Sequence, residues 1–556
     1  MLYQESIASL VQANVAERVL YRKSTVKHSI RSLQVLLFKL GFGKELGWDK
    51  YRADGDYGGG TTKAVTAFLQ KNSLFGNGEV VETATAQLML DRYQLLAHMV
   101  RLWEALKANQ MAPYAVATAD QNSIRGMQAM LNALGYGEMM NFATVGAHGT
   151  MDQGTAAALQ AFVKAEGRSL EGNDLDATIG RLLLEKVSTL YGNAWPKAQN
   201  RTQANQRRQI QLDVTQSGNK VEVKNDFLRG QFTKFKRGLY TAGNERASTT
   251  IQMFNSALKS NGMTESAIKV MLPVSKNEGN LDAVNTWDDS YISLGMFQWT
   301  LGRGGGKGEL AALLKRLKDS DPSAFQNYFG RYGLDIAPDT NEVNGYMTFN
   351  GTALRSTTSK EQFRSIDWAF RFWEAALDPR VQIVEILHGL SRIYSFYHHS
   401  SYMPLNTFYI DQLITSEYGM ALLLDHHVNR PGHLMKYAIG KKDIIGQAMK
   451  DANLENSNPA QWTKQEEMAL INAYIPLRLA SSVTHADKRT DVVQAAFQRG
   501  ELSAERGSFM LAPRTRSLGA STTAFPQGLA ETDYPHVSAD EYEQREELPL
   551  EVEESM

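Results

Sequence analysis

The chain is 556 residues long, 43% hydrophobic and 21% charged, with a formal net charge of −1 and no cysteine. That length and composition predict several globular domains with ample core. The balanced charge gives no global pull toward nucleic acid or a membrane surface, and the missing thiols exclude disulfides, thiolate metal sites and cysteine nucleophiles. No apolar run approaches the roughly 20 residues that cross a bilayer, so no membrane span is expected.

Residues 1–28 read as a polar, partly helical lead-in. After them Leu33, Leu36, Leu37 and Leu40 fall at helical spacing, and Gly41 is a natural helix stop. Asp54-Gly55-Asp56-Tyr57-Gly58 reads as a turn, and Thr61 or Thr62 caps a second helix carrying Ala64, Val65 and Phe68. The same arrangement returns 94 residues later, where Met127 matches Leu33, Gly135 matches Gly41, Gly149 matches Gly55 and Phe162 matches Phe68. An ungapped register through helix, loop and helix marks an internal duplication. The copies are placed at 29–78 and 123–192.

Each copy resembles the small three-helix peptidoglycan-binding module, with its LQ-x-x-L-x-x-LGY, DG-x-FG, T-x-x-AV and F-Q pattern. The first matches through Leu33, Gln34, Leu37, Gly41, Asp54, Gly55, Tyr57, Gly58, Thr61 and Phe68. The second keeps Gln128, Leu131, Gly135, Tyr136, Gly149, Thr155 and Phe162, and departs at His148 and Met151, where Asp and an aromatic stand in the pattern. The resemblance implies wall contacts through Asp54, Gly55, Tyr57, Gly58, His148 and Gly149. Most of the remaining motif residues read as helix packing.

Residues 79–122 read as a helical connector. Residues 193–249 read as a polar linker ending in a β-hairpin around Ser217-Gly218-Asn219, made locally basic by Lys220, Lys224, Lys234, Lys236 and Arg237. Residues 250–510 form the largest unit, with helices expected around 308–319, 361–377, 380–394, 408–424, 433–450 and 464–480. Residues 511–556 end in EYEQREELPLEVEESM and read as a disordered acidic tail.

Within the large unit, Ser275–Trp299 reads SKNEGNLDAVNTWDDSYISLGMFQW. One carboxylate, Glu278, closes a predicted helix whose apolar face holds Ile268, Met271 and Leu272. Pro273 is expected to kink that helix, and Gly279 to end it. Partial desolvation and the negative end of the helix dipole both raise the pKa of an acid placed there. The glutamate, the Gly/Asn-rich turn and the S-x-G-h-h-Q strand (h apolar) resemble the active-site lobe of lysozyme-like glycosidases, the superfamily of goose-type lysozymes and lytic transglycosylases.

The resemblance implies Glu278 as general acid, with Ser293, Gly295 and Gln298 lining the sugar subsites. Asn285, Tyr437 and Tyr474 are further substrate-contact candidates, the two tyrosines weighed against plain packing. Asp289 or Asp288 is the candidate general base of an inverting hydrolase, weighed against a turn or N-cap role. A lytic transglycosylase needs no such base, because the muramic C6 hydroxyl attacks internally. The Asp pair tilts the reading toward hydrolysis. His388, His398, His399, His426, His427 and His433 match no zinc spacing and read as neutral packing residues. Arg303-Gly304-Gly305-Gly306-Lys307-Gly308 lacks the phosphate-loop pattern and reads as a mobile cleft-edge loop.

The expected fold is mainly α and multidomain: two small three-helix binding modules and a larger α-rich lysozyme-like domain with a small β lobe. The expected activity is cleavage of peptidoglycan glycan strands, without metal or cofactor. Chitosanase- or chitinase-like cleavage, and a non-catalytic wall-binding part of a phage or contractile injection particle, are the rivals. The N-terminus lacks secretory-leader features, so synthesis in the cytoplasm is expected. Action outside the cell or in the periplasm would then follow phage lysis or injection.

Overall fold

The structure, a computed structural model, describes residues 20–21, 27–72, 74–93, 99, 121–169, 177–191, 212–397, 403–430, 443–481 and 483–511. Tyr437, His398, His399, His433, most of the lead-in and of the connector, residues 193–211 of the linker and residues 512–556 of the tail lie outside the described residues. The fold is mainly α with a small antiparallel sheet. The chain divides into two compact units, Met1–Ile210 with Asn225–Arg229, and Gln211–Lys224 with Gly230–Met556.

In the first unit the sequence register becomes a backbone register. Helices α1 (Lys27–Lys39), α2 (Gly59–Lys71) and α3 (83–93) are answered by α4 (Gln121–Leu131), α5 (Gln153–Ala165) and α6 (Ala177–Tyr191), each pair starting 94 residues apart. The single turns Trp48–Tyr51 and Phe142–Val145 keep the same offset. Arg52, at φ 55° and ψ −151°, takes the unusual conformation that Gly146 takes at φ 63° and ψ −158°. The duplication also reaches further than the motif did. Helix α3, read from sequence as connector, buries Met89 and Leu90 where α6 buries Leu183 and Leu184.

One buried glutamine organises each copy. The Gln34 amide donates to Asp54 Oδ1 at 2.7 Å, Asp56 O at 3.1 Å and Thr61 Oγ1 at 3.1 Å, and its Oε1 accepts the Gly55 N–H at 2.9 Å. Gln128 repeats this with Thr150 O at 3.0 Å, Thr155 Oγ1 at 2.9 Å and the Gly149 N–H at 2.9 Å. The His148 ring stands where Asp54 stands. Its Nδ1 accepts the Thr150 N–H at 3.2 Å, as Asp54 accepts the Asp56 N–H at 2.9 Å. Its Nε2 lies 3.1 Å from the Gln128 amide nitrogen and 3.5 Å from Asp152.

In the second unit the expected hairpin is β1 (Asp213–Ser217) and β2 (Lys220–Lys224), but it belongs to a sheet rather than to a linker. With β3 (Arg229–Lys234), β4 (Leu239–Thr241), β5 (Val284–Asn285), β6 (Ser293–Leu294) and β7 (Trp299–Thr300) it forms seven strands in sequential order. The last three carry the central motif.

Helix α7 (Glu265–Asn277) is capped by Thr264, whose hydroxyl accepts the Ala267 N–H. It continues past Pro273, and the chain leaves it at Glu278 in an extended conformation, φ −106° and ψ 175°. Gly279 is therefore not the residue that ends the helix.

Around it lie α8 (Glu309–Ser320), α9 (Ile366–Ala376), α10 (Pro379–Tyr397), α11 (Glu417–Asn429), α12 (Lys464–Leu479) and α13 (Ala486–Gln498). The segment expected as one helix over 408–424 is broken at Thr415 and Ser416. Their N–H groups bond the buried Glu467 carboxylate at 3.0 and 2.8 Å instead of continuing a helix. Helix α7 packs against α11 and α13. Gly389 of α10 leaves just enough room for Met271 of α7 and for Met296 and Phe297 of the β6–β7 connection.

Gln34→Ala and Gln128→Ala each strand a buried N–H and remove the bonds that the amide donates, so each is expected to destabilise its own copy by about 2–4 kcal/mol. Urea unfolding of the two variants checks this.

Candidate functional site

The Glu278 side chain sits at the carboxyl end of α7 and is 13% exposed. Its neighbour Gly279 donates to Met296 O at 3.2 Å, tying the helix end to the β6–β7 connection. Two of the expected influences are therefore in place, the helix end and partial burial.

A third influence acts the other way. Arg489 of α13 forms an ion pair with Glu278 through Nη2. An opposite charge in contact favours the ionised carboxylate. Arg489 is itself firmly held: Nε reaches Asp425 Oδ2 at 3.0 Å, Nη2 reaches Oδ1 at 2.8 Å, and Nη1 reaches Asn277 O at 2.9 Å. Burial disfavours its charge, but the Glu278 and Asp425 carboxylates outweigh burial and hold the guanidinium above its ordinary range.

Asp425, fully buried on α11, also pairs with the fully buried Arg478 of α12 and accepts from Asn277 Nδ2 at 2.9 Å. Four helices thus meet at one chain of alternating charge, Glu278–Arg489–Asp425–Arg478. The sequence offered a signal for it that was missed: Arg489 lies on the same helical face as Val493 and Ala496, and Asp425 follows three leucines, so both charges fall on apolar surfaces.

The S-x-G-h-h-Q segment is not one strand. Ser293 and Leu294 form β6, Gly295 to Gln298 turn, and Trp299 begins β7; Gln298 N–H closes the turn on Gly295 O at 3.0 Å, and its side-chain amide bonds the same oxygen at 2.9 Å. Ser293 and Asn285 are buried opposite each other across β5 and β6, so neither side chain faces an open subsite. Asn285 shapes the next turn, accepting the Trp287 N–H at 3.0 Å and donating to Asp288 Oδ2 at 2.9 Å.

Gly295, at φ 80°, faces the interior rather than a sugar subsite: a Cβ there would collide with the Glu385 carboxylate and the Trp299 ring. Glu385 of α10 is fully buried, and neither carboxylate oxygen has a hydrogen-bond partner of standard geometry. Burial pushes its pKa well above the ordinary value, nearby Asp282 adds to the shift, and the Met296 N–H opposes it. Beside it, burial and the guanidiniums of Arg316 and Arg392 hold His388 well below its ordinary value, a neutral ring 5.6 Å from Trp299. Val381, Glu385, His388 and Arg392 form one buried stripe of α10, a mixed pattern visible in the sequence.

The acidic pair is engaged elsewhere. Asp288 accepts the Ser290 N–H at 2.8 Å as well as the Asn285 amide. Burial raises its carboxyl against that N–H, Arg364 and Arg303. Asp289 pairs with Arg237 at 2.7 Å and lies 3.8 Å from Arg303. The turn role wins for Asp288, and a surface ion pair occupies Asp289.

The glycine-rich loop is pinned rather than loose. Buried Lys360 donates to Gly302 O at 2.8 Å and Gly306 O at 2.6 Å, and burial pulls its pKa down to about 8.

Tyr474 lies in the core, 2.6 Å from His426 Nδ1; burial, opposed by Arg478, pushes its phenol up to about 12. It is a packing residue and not a cleft tyrosine. In the repeats, Tyr57 is buried with its hydroxyl on Gly78 O at 2.9 Å, and Asp54, Gly55, His148 and Gly149 serve the glutamine hubs. Gly58 is the N-cap of α2 without a side-chain bond, where Asp152 caps α5. The exposed apolar residues of the first copy are instead Tyr51, Leu74, Phe75 and Val80. Among the described residues no cluster of three or more metal-ligating side chains occurs.

Compared with protein families, with curated proteins and with solved structures, the chain matches none.

Glu385 supplies a stability test with a defined sign. Its proton is held in the folded state and released in the unfolded one, so stability falls as pH rises above the ordinary value of 4.5. Glu385→Gln is expected to melt higher than the parent at about pH 8, with the gap closing as pH falls toward about 4.5. Thermal unfolding across pH reads this directly.

Proposed function

We propose that this chain cleaves the glycan strands of bacterial peptidoglycan, with Glu278 as the general acid and the duplicated unit as its wall anchor. The observation that carries the reading is the setting of Glu278. It is a partly exposed carboxyl at the end of a core helix, bonded through its neighbour to the turn that holds Gly295 and Gln298. Cleavage requires a proton delivered to the leaving oxygen. Within the motif Asp282 is sealed in the core, Asp288 shapes a turn and Asp289 lies in a surface ion pair, which leaves Glu278 as the acid at the end of a core helix.

The surroundings favour lytic transglycosylation over hydrolysis, reversing the tilt taken from sequence. A base across the sugar must be free to take a proton from water. Asp288 is committed to its turn and Asp289 to Arg237. In the transglycosylase route Glu278 gives its proton to the glycosidic oxygen as the C1–O bond breaks. The muramic C6 oxygen then bonds to C1, and its proton returns to Glu278. One carboxyl serves as acid and then as base.

The non-catalytic rival also has an observation in its favour, since Glu278 at rest is ion-paired. Glu278→Gln separates the two readings. Loss of sacculus digestion by about 10²–10⁴-fold with retained sacculus binding is the expected result for a general acid. Unchanged digestion removes Glu278 from the chemistry, and digestion absent from the parent as well leaves a binding protein. Mass spectrometry of the parent's products is expected to show anhydro ends, lighter by one water than hydrolytic ends. Chitosan tested in parallel should remain uncut, which tells this reading from a chitosanase.

A further inference from the structure

The proposed chemistry needs Glu278 protonated, yet Arg489 is placed to keep it ionised. A fixed guanidinium would also oppose the positive charge that develops on the sugar ring as the glycosidic bond breaks. The same residue therefore has to leave Glu278 before reaction without being lost from the site.

We propose that Arg489 is a positioning residue that masks Glu278 at rest and yields it when the glycan enters, while Asp425, clamped by Arg478, retains the guanidinium. This rests on the reading of Glu278 as the acid. Besides Glu278, Arg489 holds both Asp425 carboxylate oxygens, the Asp425 carbonyl and the Asn277 carbonyl. Losing the Glu278 contact leaves its charge compensated inside the protein. Glu278, released from Arg489, takes a proton from solvent and presents it to the leaving oxygen.

Asp425 in turn is fixed by a second guanidinium that does not reach outward. Arg478 also donates to Thr490 Oγ1 at 2.9 Å and Leu422 O at 3.2 Å, and Thr490 adjoins Arg489 on α13. Tyr474 of α12 interacts with both Asp425 and Arg478, and its hydroxyl meets His426 of α11 at 2.6 Å.

The test reads the proton on Glu278 directly, so it does not depend on turnover. Full-length protein carrying ¹³C-labelled glutamate carboxyls is titrated by infrared spectroscopy, with Glu278→Gln subtracted to isolate the one carboxyl. In Arg489→Gln the Glu278 carboxyl is expected to titrate about 1 pH unit or more above the parent. Arg489→Lys, which keeps the charge, is expected to stay near the parent.

Asp425→Asn frees Arg489 from its anchor and is expected to shift the Glu278 titration while Arg489 remains. If the parent digests sacculi, the alkaline limb of its pH–rate profile should move upward in Arg489→Gln by the same amount. A merely structural role would lower the rate at every pH without moving the limb. Equal Glu278 titration in the parent and in a folded Arg489→Gln protein, judged by circular dichroism, overturns the proposal. If Arg489→Gln does not fold, an unshifted Glu278 titration in a folded Asp425→Asn protein overturns it instead. A shifted titration in a protein that digests nothing leaves the ion-pair inference standing and removes the glycosidase reading.

Discussion

The Asp425 carboxylate is the point on which the second unit is built. A lone charge in a protein interior carries a desolvation penalty of several kcal/mol, and removing one partner of a buried pair typically costs about 3–5 kcal/mol. Here the penalty is met by two guanidiniums and an amide, each brought by a different helix: Arg478 by α12, Arg489 by α13 and Asn277 by α7. The bonds are directional, so they fix the helices in register as well as in contact. Glu278 follows Asn277 directly, and its position is inherited from that register.

The short sheet provides the other side of the setting. Its β6–β7 turn rests on α10 at Gly389, with Gly295 drawn down onto Glu385 and Trp299. The acids of this region have divided tasks. Glu385 is protonated filling, Asp288 a turn maker, and Asp289 a surface ion-pair partner. Glu278 and Asp289 both keep part of the side chain exposed, and of the two only Glu278 stands at the end of a core helix. Burial alone would make Glu385 the more acid-like group, but a fully sealed side chain cannot meet a substrate, and access decides between them.

The repeated unit teaches a different lesson about motifs. Its most recognisable residues hold the backbone: glutamine at the hub, Asp54 or His148 on the turn, glycine where a side chain would strike α1 or α4. The replacement of Asp54 by His148 in the second copy preserves an acceptor for the same turn N–H, which is why the copy survives that change. Residues that touch a wall polymer would have to be sought on the outside, where Tyr51, Leu74, Phe75 and Val80 stand exposed.

Much of the architecture is dictated by local pattern. Period and stop signals placed α8, α9, α10 and α12 of the large unit but not α13, the 94-residue offset survived into φ and ψ, and the hairpin at Gly218 formed where its turn residues lay. Glu278 at a helix end was legible for the same reason, since an apolar stripe and its termination are written within one helix. What the sequence alone left undecided was which charge meets which. Arg489 is 211 positions from Glu278 and 64 from Asp425, and nothing local foretells a pairing across such distances. Burial likewise separated Tyr474, Ser293 and Asn285 from any open surface. Spacing reports neighbours along a chain, while charge and access depend on neighbours in space, and those exist only once the helices have packed.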